Sequence, residues 1–560
     1  SNSPSPENLH ALANVSQKKN RSVKIGIVAN KRIIEKRVSS IKVIDLFAGP
    51  GGLGEGFSAF RDAAGRRRFK IALSIEKEAS AHRTLTLRSL FRQYADGEVP
   101  EAYYDFMRGN LGKFPEDELY RSAEISDALE LARLEARQFE LGRRGQHAGV
   151  YKAIRSALGT DDCVLLGGPP CQAYSLVGRS RNKGEKGKIY DADSDHRNFL
   201  YLEYLRIIAR FQPLVFVMEN VKGLLSARTS AGPVFPRIIS DLADPGKSCT
   251  TKPDLGRKRH KYRIFSFVAE QPVDLFGNSL SQLEPKDYII KSELYGIPQR
   301  RHRVILLGVR EDLVGASPLP LLVQSAEQVT VKDAIGDLPS LRSSISREED
   351  NVERWQEIRS RTPRLLASRG QKLAEPLKHF LTSLSEPDEY TSMGSEFLKW
   401  SAPKDRGVLG NWYSDPRLDG YITNHVSRGH IRGDLERYWF VASFRKAMGY
   451  SPKSDDFPDF LHPNHANFTS GKFADRFRAQ GWDSPSTTIT SHISKDGHYY
   501  IHPNPAQMRS LTVREAARLQ TFPDNYHFVG NRTAQYVQVG NAVPPFLAMQ
   551  LARVISSLVS

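Results

Sequence analysis

Five short apolar runs constrain the fold of this chain more than any other feature of its sequence. Each has the length of a β-strand and is apolar almost throughout, and they cover residues 41–47, 70–75, 163–166, 214–218 and 303–309. Strands that are buried on both faces of a parallel sheet have this pattern. Stretches with helical periodicity lie between them, for example 125–141 and 199–210. Strands that alternate with helices predict an α/β fold with a doubly wound sheet.

The character of the sequence changes from about Val331. Continuous apolar runs give way to polar, turn-rich sequence that contains all five tryptophans, which are Trp355, Trp400, Trp412, Trp439 and Trp482. The end of the chain again has a helical apolar pattern, which begins with proline. We therefore predict four parts: a basic extension over 1–40, an α/β domain over 41–325, a smaller irregular domain over 326–535, and a helix over 536–560 that returns to the α/β domain.

Composition indicates a soluble globular protein with polyanionic partners. The 560 residues include 80 basic and 63 acidic side chains, which gives a formal charge of +17. Such a surplus attracts nucleic acids, although many basic proteins bind none. Three cysteines without Cys-x-x-Cys spacing or a Cys/His cluster favour a reducing cytoplasm and argue against a metal site. No apolar run has the length of a membrane span or forms a signal peptide, so we expect a cytoplasmic protein.

A glycine-rich turn after the first apolar run predicts a cofactor site. The sequence from 41 to 57 passes from an apolar strand into Ala-Gly-Pro-Gly-Gly-Leu-Gly. Glycines let the backbone approach a ligand, and the following helix offers its amide groups. Glu76 ends the second run, where a carboxylate can bind ribose hydroxyls. Together these features indicate an adenosine-type cofactor without deciding between NAD and S-adenosylmethionine.

Three polar groups next to predicted strands suggest catalysis. Cys171 follows the third run after Gly-Gly-Pro-Pro, Glu219 ends the fourth run, and the cluster Gln-Arg-Arg-His-Arg303 begins the fifth. Each has a simpler explanation: an inert core thiol, a structural acid and a solvated charge run. However, polar sequence follows Cys171, which favours an accessible thiol. In addition, α/β proteins bind their ligands at the carboxyl edge of the sheet.

Six sequence blocks occur in the order typical of one enzyme family. They cover residues 45–52, 168–172, 219–221, 299–303, 511–523 and 540–545. The chain resembles the DNA (cytosine-5) methyltransferases over most of 41–325 and 482–550. The resemblance implies a mixed seven-stranded sheet with helices on both sides, and S-adenosylmethionine as the cofactor. It also implies that 41–325 is the catalytic domain, and that 326–535 is a target-recognition domain across a cleft for double-stranded DNA.

The resemblance assigns roles to individual residues. Cys171 is expected to attack carbon 6 of a cytosine that has flipped out of the duplex. Glu219 is expected to contact ring nitrogen 3, and Arg303, with Arg301 nearby, to hold the carbonyl oxygen. The expected cofactor contacts are Phe47, Gly49, Pro50, Gly52, Glu76, Lys77, Pro170, Leu200, Asn541 and Ala542.

Two features depart from the family pattern. Lys77 stands where many members have an aromatic residue, so adenine stacking is expected to depend more on Phe47. The stretch 91–160 is longer than usual between its neighbouring blocks. Within it, Glu140 is the candidate for the acid that meets the adenine amino group.

Cationic sequence outside the strands suggests contacts with DNA. Residues 177–188 contain three glycines and five cations, which predicts a mobile loop that closes over DNA next to Cys171. In the segment 326–480, candidates for base or phosphate contacts, each with a structural role as the alternative, are Arg428, His430, Arg432 and Arg437.

The sequence leaves several functions to compare. The favoured one is DNA methylation in a bacterial restriction–modification system, by a nucleoid-associated monomer with a cognate restriction endonuclease encoded nearby. An RNA (tRNA) cytosine methyltransferase is the alternative, but its compact relatives lack the large insert that precedes Trp482. An NAD dehydrogenase leaves the Pro-Pro-Cys and C-terminal blocks unexplained. A catalytically inactive DNA-binding member of the family is disfavoured, because the thiol, the acid and the arginine needed for catalysis are all present.

Overall fold

The computed structural model describes most of the chain from residue 40 onward. The described ranges are 40–170, 198–229, 232–249, 251–254, 256–271, 283–315, 318–369, 390–401, 407–464 and 476–559, with the single residues 377 and 403. Residues 1–39 of the predicted extension, the expected nucleophile Cys171 and the loop 177–188 lie outside these ranges.

Strands and helices alternate along the chain, as the apolar pattern predicts. The strands are β1 Ile41–Leu46, β2 Phe69–Glu76, β3 Ala136–Gln138, β4 Cys163–Gly167, β5 Val215–Val221, β6 Arg228–Thr229, β7 Gly232–Pro233, β8 Tyr262–Phe265, β9 Ile289–Lys291, β10 His302–Arg310, β11 Ser344–Ile345, β12 Gly394–Lys399, β13 Tyr421–Val426 and β14 Gly429–His430. The helices are α1 Gly52–Ala59, α2 Ala79–Arg92, α3 Glu101–Met107, α4 Pro115–Arg121, α5 Ser126–Glu135, α6 His147–Leu158, α7 Asn198–Phe211, α8 Val234–Ala243, α9 Pro245–Ser248, α10 Val331–Ile335, α11 Val352–Arg369, α12 Gly410–Tyr413, α13 Arg432–Met448, α14 Val513–Leu519, α15 Arg532–Asn541 and α16 Pro545–Ser556.

One mixed sheet forms the centre of the fold. Its strands lie in the order β3-β2-β1-β4-β5-β10-β8, and the short β9 also pairs with β10. Strands β1 to β5 run parallel, whereas β10 runs antiparallel to β5, β8 and β9. The carboxyl ends of β1 to β5 and the start of β10 therefore lie along one edge. The strand order reverses between β1 and β4, which creates the crevice where doubly wound sheets bind ligands.

The sheet confirms the predicted fold class and corrects two details. It has eight strands rather than seven, because β9 adds a short strand at the start of β10. The helix predicted over 125–141 was wrong in its second part, since α5 ends at Glu135 and Ala136–Gln138 pairs with β2. A strand of three residues is too short to show a period of two, so the apolar pattern did not reveal it.

Apolar side chains cover both faces of the sheet, which explains the continuous apolar runs. Along β1, Val43 and Ile44 belong to different core clusters, and Val164 and Leu165 alternate in the same way on β4. Cys163 begins β4 and is buried. Burial raises the pKa of its thiol to about 12, so Cys163 is a core residue and not a nucleophile.

The helix α16 packs directly on α1, and two glycines make the close approach possible. A side chain at Gly56 would place its Cβ 2.5 Å from the Cβ of Ala548, and one at Gly52 would meet the carbonyl of Val543. Pro545 occupies the start of α16, where its missing N–H costs no hydrogen bond. The segment before α16 is thereby held against the turn that follows β1.

Residues beyond 326 form two large apolar clusters and a small one of Val329, Leu409 and Tyr413. Of the two large clusters, one surrounds the buried Trp355 and the apolar face of α13. The other joins α10 to α14 and α15. Next to it, Arg509 pairs with Glu515 at 2.6 Å, with both side chains buried. The division of the chain at 326 and 536 stays a prediction. Within the described part of the chain, no helix has the length and apolar character needed to cross a membrane.

Candidate active site

The turn after β1 forms one end of the candidate site. Phe47, Gly49 and Gly51 have positive φ angles of 56°, 58° and 101°. Glycine adopts this conformation without strain, whereas Phe47 does so at a cost of order 1–3 kcal/mol. A side chain at Gly49 would meet no atom within 4 Å, so the turn faces open space. The amide-rich start of α1 follows directly, which suits a ligand that accepts hydrogen bonds.

Glu76 lies beside this turn at the end of β2, as the sequence predicts. One carboxylate oxygen accepts a hydrogen bond of 2.8 Å from the amide of Gly49. The other accepts hydrogen bonds of 2.8 Å from the amides of Lys77 and Glu78. Each carboxylate oxygen can accept more than one hydrogen bond, so this fixed carboxylate can still receive the hydroxyls of a ribose. The residues at this edge therefore fit the adenosine part of S-adenosylmethionine.

Asp45 lies at the base of the same turn and is fully buried. Burial raises its pKa to about 7, although Arg92 acts in the opposite direction. Its carboxylate lies close to α1, because a side chain at Gly54 would come within 3.1 Å of it. An acid with this pKa changes its charge near neutral pH.

Further predicted cofactor residues lie around the turn. Lys77 is exposed, and its Nζ lies 3.8 Å from a carboxylate oxygen of Glu140, which follows β3 at the same edge. Pro50 accepts a hydrogen bond through its carbonyl from the hydroxyl of Tyr526. Leu200 is half-buried near Gly142. The structure thus brings Glu140, the acid candidate of the long 91–160 stretch, close to Lys77.

The C-terminal block contributes to this end of the site through α15 and the segment after it. Asn541 ends α15 and is exposed, while Ala542 is buried. Val543 touches the position of Gly52 through its backbone. This contact holds Asn541 and Ala542 next to the cofactor turn.

The chain that leads to Cys171 lies beside the end of β5. Asn220 donates a hydrogen bond of 3.0 Å from its side-chain amide to the carbonyl of Pro169, and it accepts one of 2.9 Å from the amide of Val221. Glu219 is equally close, since a side chain at Gly168 would lie 3.1 Å from its carboxylate. Pro170, the neighbour of Cys171, is half-buried. Residues 168–170 are therefore fixed against the strand that carries Glu219, and Cys171 itself lies outside the described residues.

Glu219 and Arg303, two of the expected catalytic residues, form an ion pair that the sequence did not predict. Because β5 and β10 are antiparallel, Arg303 lies opposite Val221 and Ile305 lies opposite Glu219. The Arg303 Nε donates to the Glu219 carboxylate over 2.8 Å, and the two side chains are 14% and 15% exposed. Partial burial strengthens this pair relative to a surface ion pair. A carboxylate and a guanidinium thus meet at the sheet edge, next to residues 168–170.

Arg301 lies deeper than Arg303 and binds backbone only among the contacts found for it. Its guanidinium donates to the carbonyl of Ile489 at 2.7 Å and to that of Gly540 at 3.2 Å. Burial and the neighbouring Arg303 lower the pKa of Arg301 well below its usual value. These bonds connect the start of β10 to the block 540–545, so the geometry is that of a positioning residue.

The four candidates for DNA contacts have structural partners. His430 is buried and lies 3.1 Å from the hydroxyl of Ser510, and Arg437 donates to the carbonyl of Leu461 at 2.7 Å. Arg432 pairs with Glu436 at 3.3 Å on the same helix. Arg428 stacks on the ring of Tyr536, 4.6 Å from its centroid. These contacts match the structural alternative that the sequence left open.

Sequence reasoning did not assign roles to three residues that organise the site. Asn220 belongs to the block 219–221 but was given no role of its own, yet it ties residues 168–170 to β5. Gln299 is fully buried and accepts from the amide of Ile489 at 2.8 Å. Tyr526 supports the turn at Pro50. For Asn220 and Gln299, the only signal in the sequence was an amide within a polar cluster, because their hydrogen-bond partners lie far away in the sequence.

Comparisons with known proteins identify the family of this chain. The family model for C-5 cytosine-specific DNA methylases matches residues 153–253 and 278–557. Type II methyltransferase M.Bpa9945I of Bacillus paralicheniformis is 32% identical over 535 residues, which are 92% of this chain and 99% of that protein. Type II methyltransferase M.AgeI of Thalassovita gelatinovora is 28% identical over 424 residues, which are 73% of this chain and 87% of that protein. Among solved structures, a methyltransferase encoded within an E. coli prophage covers 93% of this chain and 99% of its own, with 18% identity and a TM-score of 0.49. The chain therefore belongs to the family of C-5 cytosine-specific DNA methylases, enzymes that transfer a methyl group from S-adenosylmethionine to carbon 5 of cytosine in DNA.

Proposed function

We propose that this chain methylates cytosine within a specific double-stranded DNA sequence and uses Cys171 as the nucleophile. The observation that carries the proposal is the hydrogen bond from Asn220 to the carbonyl of Pro169. It fixes residues 168–170 beside the carboxylate of Glu219, which supports Cys171, the next residue in the sequence, as the nucleophile. The cytosine is flipped out of the duplex to reach this edge, at a cost of a few kcal/mol.

The roles of the residues follow from the chemistry of the ring. The Cys171 thiolate bonds to carbon 6, which makes carbon 5 nucleophilic. Glu219 contacts ring nitrogen 3, and Arg303 holds both the Glu219 carboxylate and the carbonyl oxygen, where negative charge develops. Arg301 keeps the start of β10 in place. When bound, S-adenosylmethionine would supply an electrophilic methyl group to carbon 5 and would leave as S-adenosylhomocysteine. Loss of the carbon 5 proton then breaks the bond to sulfur and restores the thiolate.

The cofactor would be held at the carboxyl ends of β1 and β2. Glu76 would receive the ribose hydroxyls, Phe47 would stack on the adenine, and Glu140 would accept from its amino group. Further contacts are proposed from Gly49, Pro50, Gly52, Lys77, Pro170, Leu200, Asn541 and Ala542. The open space at Gly49 and the fixed carboxylate of Glu76 support this placement.

We further propose that the enzyme is the modification component of a Type II restriction–modification system with a cognate endonuclease. The relatives M.Bpa9945I and M.AgeI, both Type II methyltransferases, support this role. The RNA methyltransferase alternative has less support, because both of these relatives are Type II methyltransferases.

Bisulfite sequencing of DNA from cells that express the protein tests the activity and reveals the target sequence together. The wild-type protein and Cys249→Ser should both methylate DNA, whereas Cys171→Ser should give no methylation above background. Cys249 is the matched control, since its half-buried thiol contacts only the carbonyl of Pro245 among the hydrogen bonds found for it. Methylation by Cys171→Ser would rule out the proposed nucleophile. Absence of cytosine methylation by wild type would rule out the proposed function.

A further inference from the structure

A cationic cavity lies beside the start of β10 and is not used by the proposed chemistry. Its volume is about 280 Å³, and four cations line it: Arg300, Arg445, Lys453 and Arg478. No aspartate or glutamate of the described residues lines the cavity. Two aromatic rings, those of Tyr450 and Phe477, complete its wall, and Tyr450 is 50% exposed at the surface. Cations and aromatic rings in one recess are typical of nucleic-acid binding.

The cations of this cavity repel one another. Burial lowers the pKa of Arg445, and the nearby Arg300 and Arg478 lower it further. Among ion pairs between described residues, none includes Arg300, Arg445 or Lys453. Gathered like charges destabilise a folded protein unless an anion neutralises them. The cluster of cations therefore destabilises the folded protein without a ligand, and an anion that binds there removes this destabilisation.

The fold positions Arg300 and Arg445 at this cavity, whereas the side chain of Lys453 is exposed. The Arg445 guanidinium lies directly over Gly481, where an added Cβ would come within 2.6 Å of it. Arg300 is fixed through its main chain, which donates to the carbonyl of Ser486 at 2.9 Å and accepts from the hydroxyl of Thr488 at 2.6 Å. Arg445 and Arg300 come from distant parts of the sequence and converge on one recess.

The position of the cavity indicates which anion it binds. Arg300 precedes Arg303 by three residues, a stretch of chain that spans at most about 11 Å, and Arg303 pairs with Glu219 at the catalytic edge. We propose that this cavity binds a backbone phosphate of the DNA close to the flipped cytosine, with Arg300, Arg445 and Lys453 as its ligands. The inference rests on the proposed function, since it places the DNA at the edge that carries Glu219. A phosphate held there would fix the target strand while the base leaves the stack.

The test compares Arg445→Met and Lys453→Met with a control that removes one charge outside the cavity. Lys446→Met is the matched control, because Lys446 follows Arg445 on α13, is exposed and does not line the cavity. DNA affinity is measured over a range of salt concentrations on a duplex that carries the methylated site. Each cavity variant should weaken binding and reduce the slope of log affinity against log salt by about one. Lys446→Met should leave the slope unchanged.

Two further readouts separate this role from a structural one. Removing a repelled cation should leave the melting temperature of Arg445→Met equal to or above that of wild type, whereas loss of a structural arginine would lower it. Duplexes in which single phosphates are replaced by neutral methylphosphonate should include one position that weakens wild type by about tenfold and Arg445→Met by less than twofold. Equal losses in both proteins at every position would overturn the proposal.

The outcomes also separate this proposal from the function itself. If wild type methylates DNA but Arg445→Met and Lys453→Met bind with unchanged affinity and slope, only the phosphate site is wrong. Calorimetric titration with inorganic phosphate tests whether the cavity binds free phosphate instead of a DNA phosphate. Binding of inorganic phosphate to wild type that Arg445→Met abolishes, without any change in DNA affinity, would overturn the assignment to DNA. If wild type methylates no DNA, the proposed function fails independently of these binding data.

Discussion

Replacing Gly56 with alanine should weaken the binding of S-adenosylmethionine, although residue 56 is not one of the proposed cofactor contacts. The added Cβ would lie 2.5 Å from both the Ala548 Cβ and the Met549 amide nitrogen, where ordinary contacts begin at 3.4 Å. The helix α16 must therefore move by about 1 Å, and overpacking of this kind costs about 1–3 kcal/mol. Alanine also has a higher helix propensity than glycine, which offsets up to about 1 kcal/mol of this cost. We expect a net destabilisation of about 1–2 kcal/mol.

The movement should reach the cofactor because α16 begins directly after the segment that contains Asn541 and Ala542. We expect the KM for S-adenosylmethionine to rise about tenfold, which corresponds to about 1.4 kcal/mol, with a smaller effect on kcat. The assay is transfer of a tritiated methyl group at varied cofactor concentration, together with calorimetric binding. Gly433→Ala is the control, because its Cβ would meet only side-chain atoms of Arg437, none of them closer than 3.3 Å. A folded Gly56→Ala protein with wild-type cofactor affinity would refute the reasoning.

Two other predictions concern the same edge of the sheet. Asn220→Ala should lower kcat about 10- to 100-fold with little change in the KM for S-adenosylmethionine, since a lost buried hydrogen bond costs about 1–3 kcal/mol; an unchanged kcat in a methyl-transfer assay would contradict this. The pKa of Asp45 is raised from 3.8 to about 7 in the folded state. The folded protein then holds the proton that the unfolded chain releases, so stability is lost as pH rises from about 4 to about 7, by up to about 4 kcal/mol. Asp45→Asn should remove this loss, and urea unfolding of both proteins without cofactor at pH 5 and pH 8 measures it; equal pH dependence would contradict it.

Much of the fold and part of the site could be predicted from the sequence. Continuous apolar runs such as the one over β4 marked strands that are buried on both faces, and Glu76 and Glu219 were placed by their positions at strand ends. The short β3 and β9 were missed, because three residues cannot show a periodic pattern. The tether from Asn220 to Pro169 was also missed, since it joins residues 51 positions apart. Arg301 illustrates the limit most clearly, because a cationic cluster does not reveal which of its members faces the substrate and which is buried against Gly540.

The packing of α16 on α1 has a consequence for the order of events in the cell. The ribosome makes α1 long before α16, yet Gly52 at the start of α1 packs against the backbone of Val543, which lies two residues before α16. A growing chain therefore holds the glycine turn without the residues that complete it. The nascent enzyme should be unable to retain its methyl donor until this late segment has been released from the exit tunnel, so that premature termination anywhere upstream yields an inactive product.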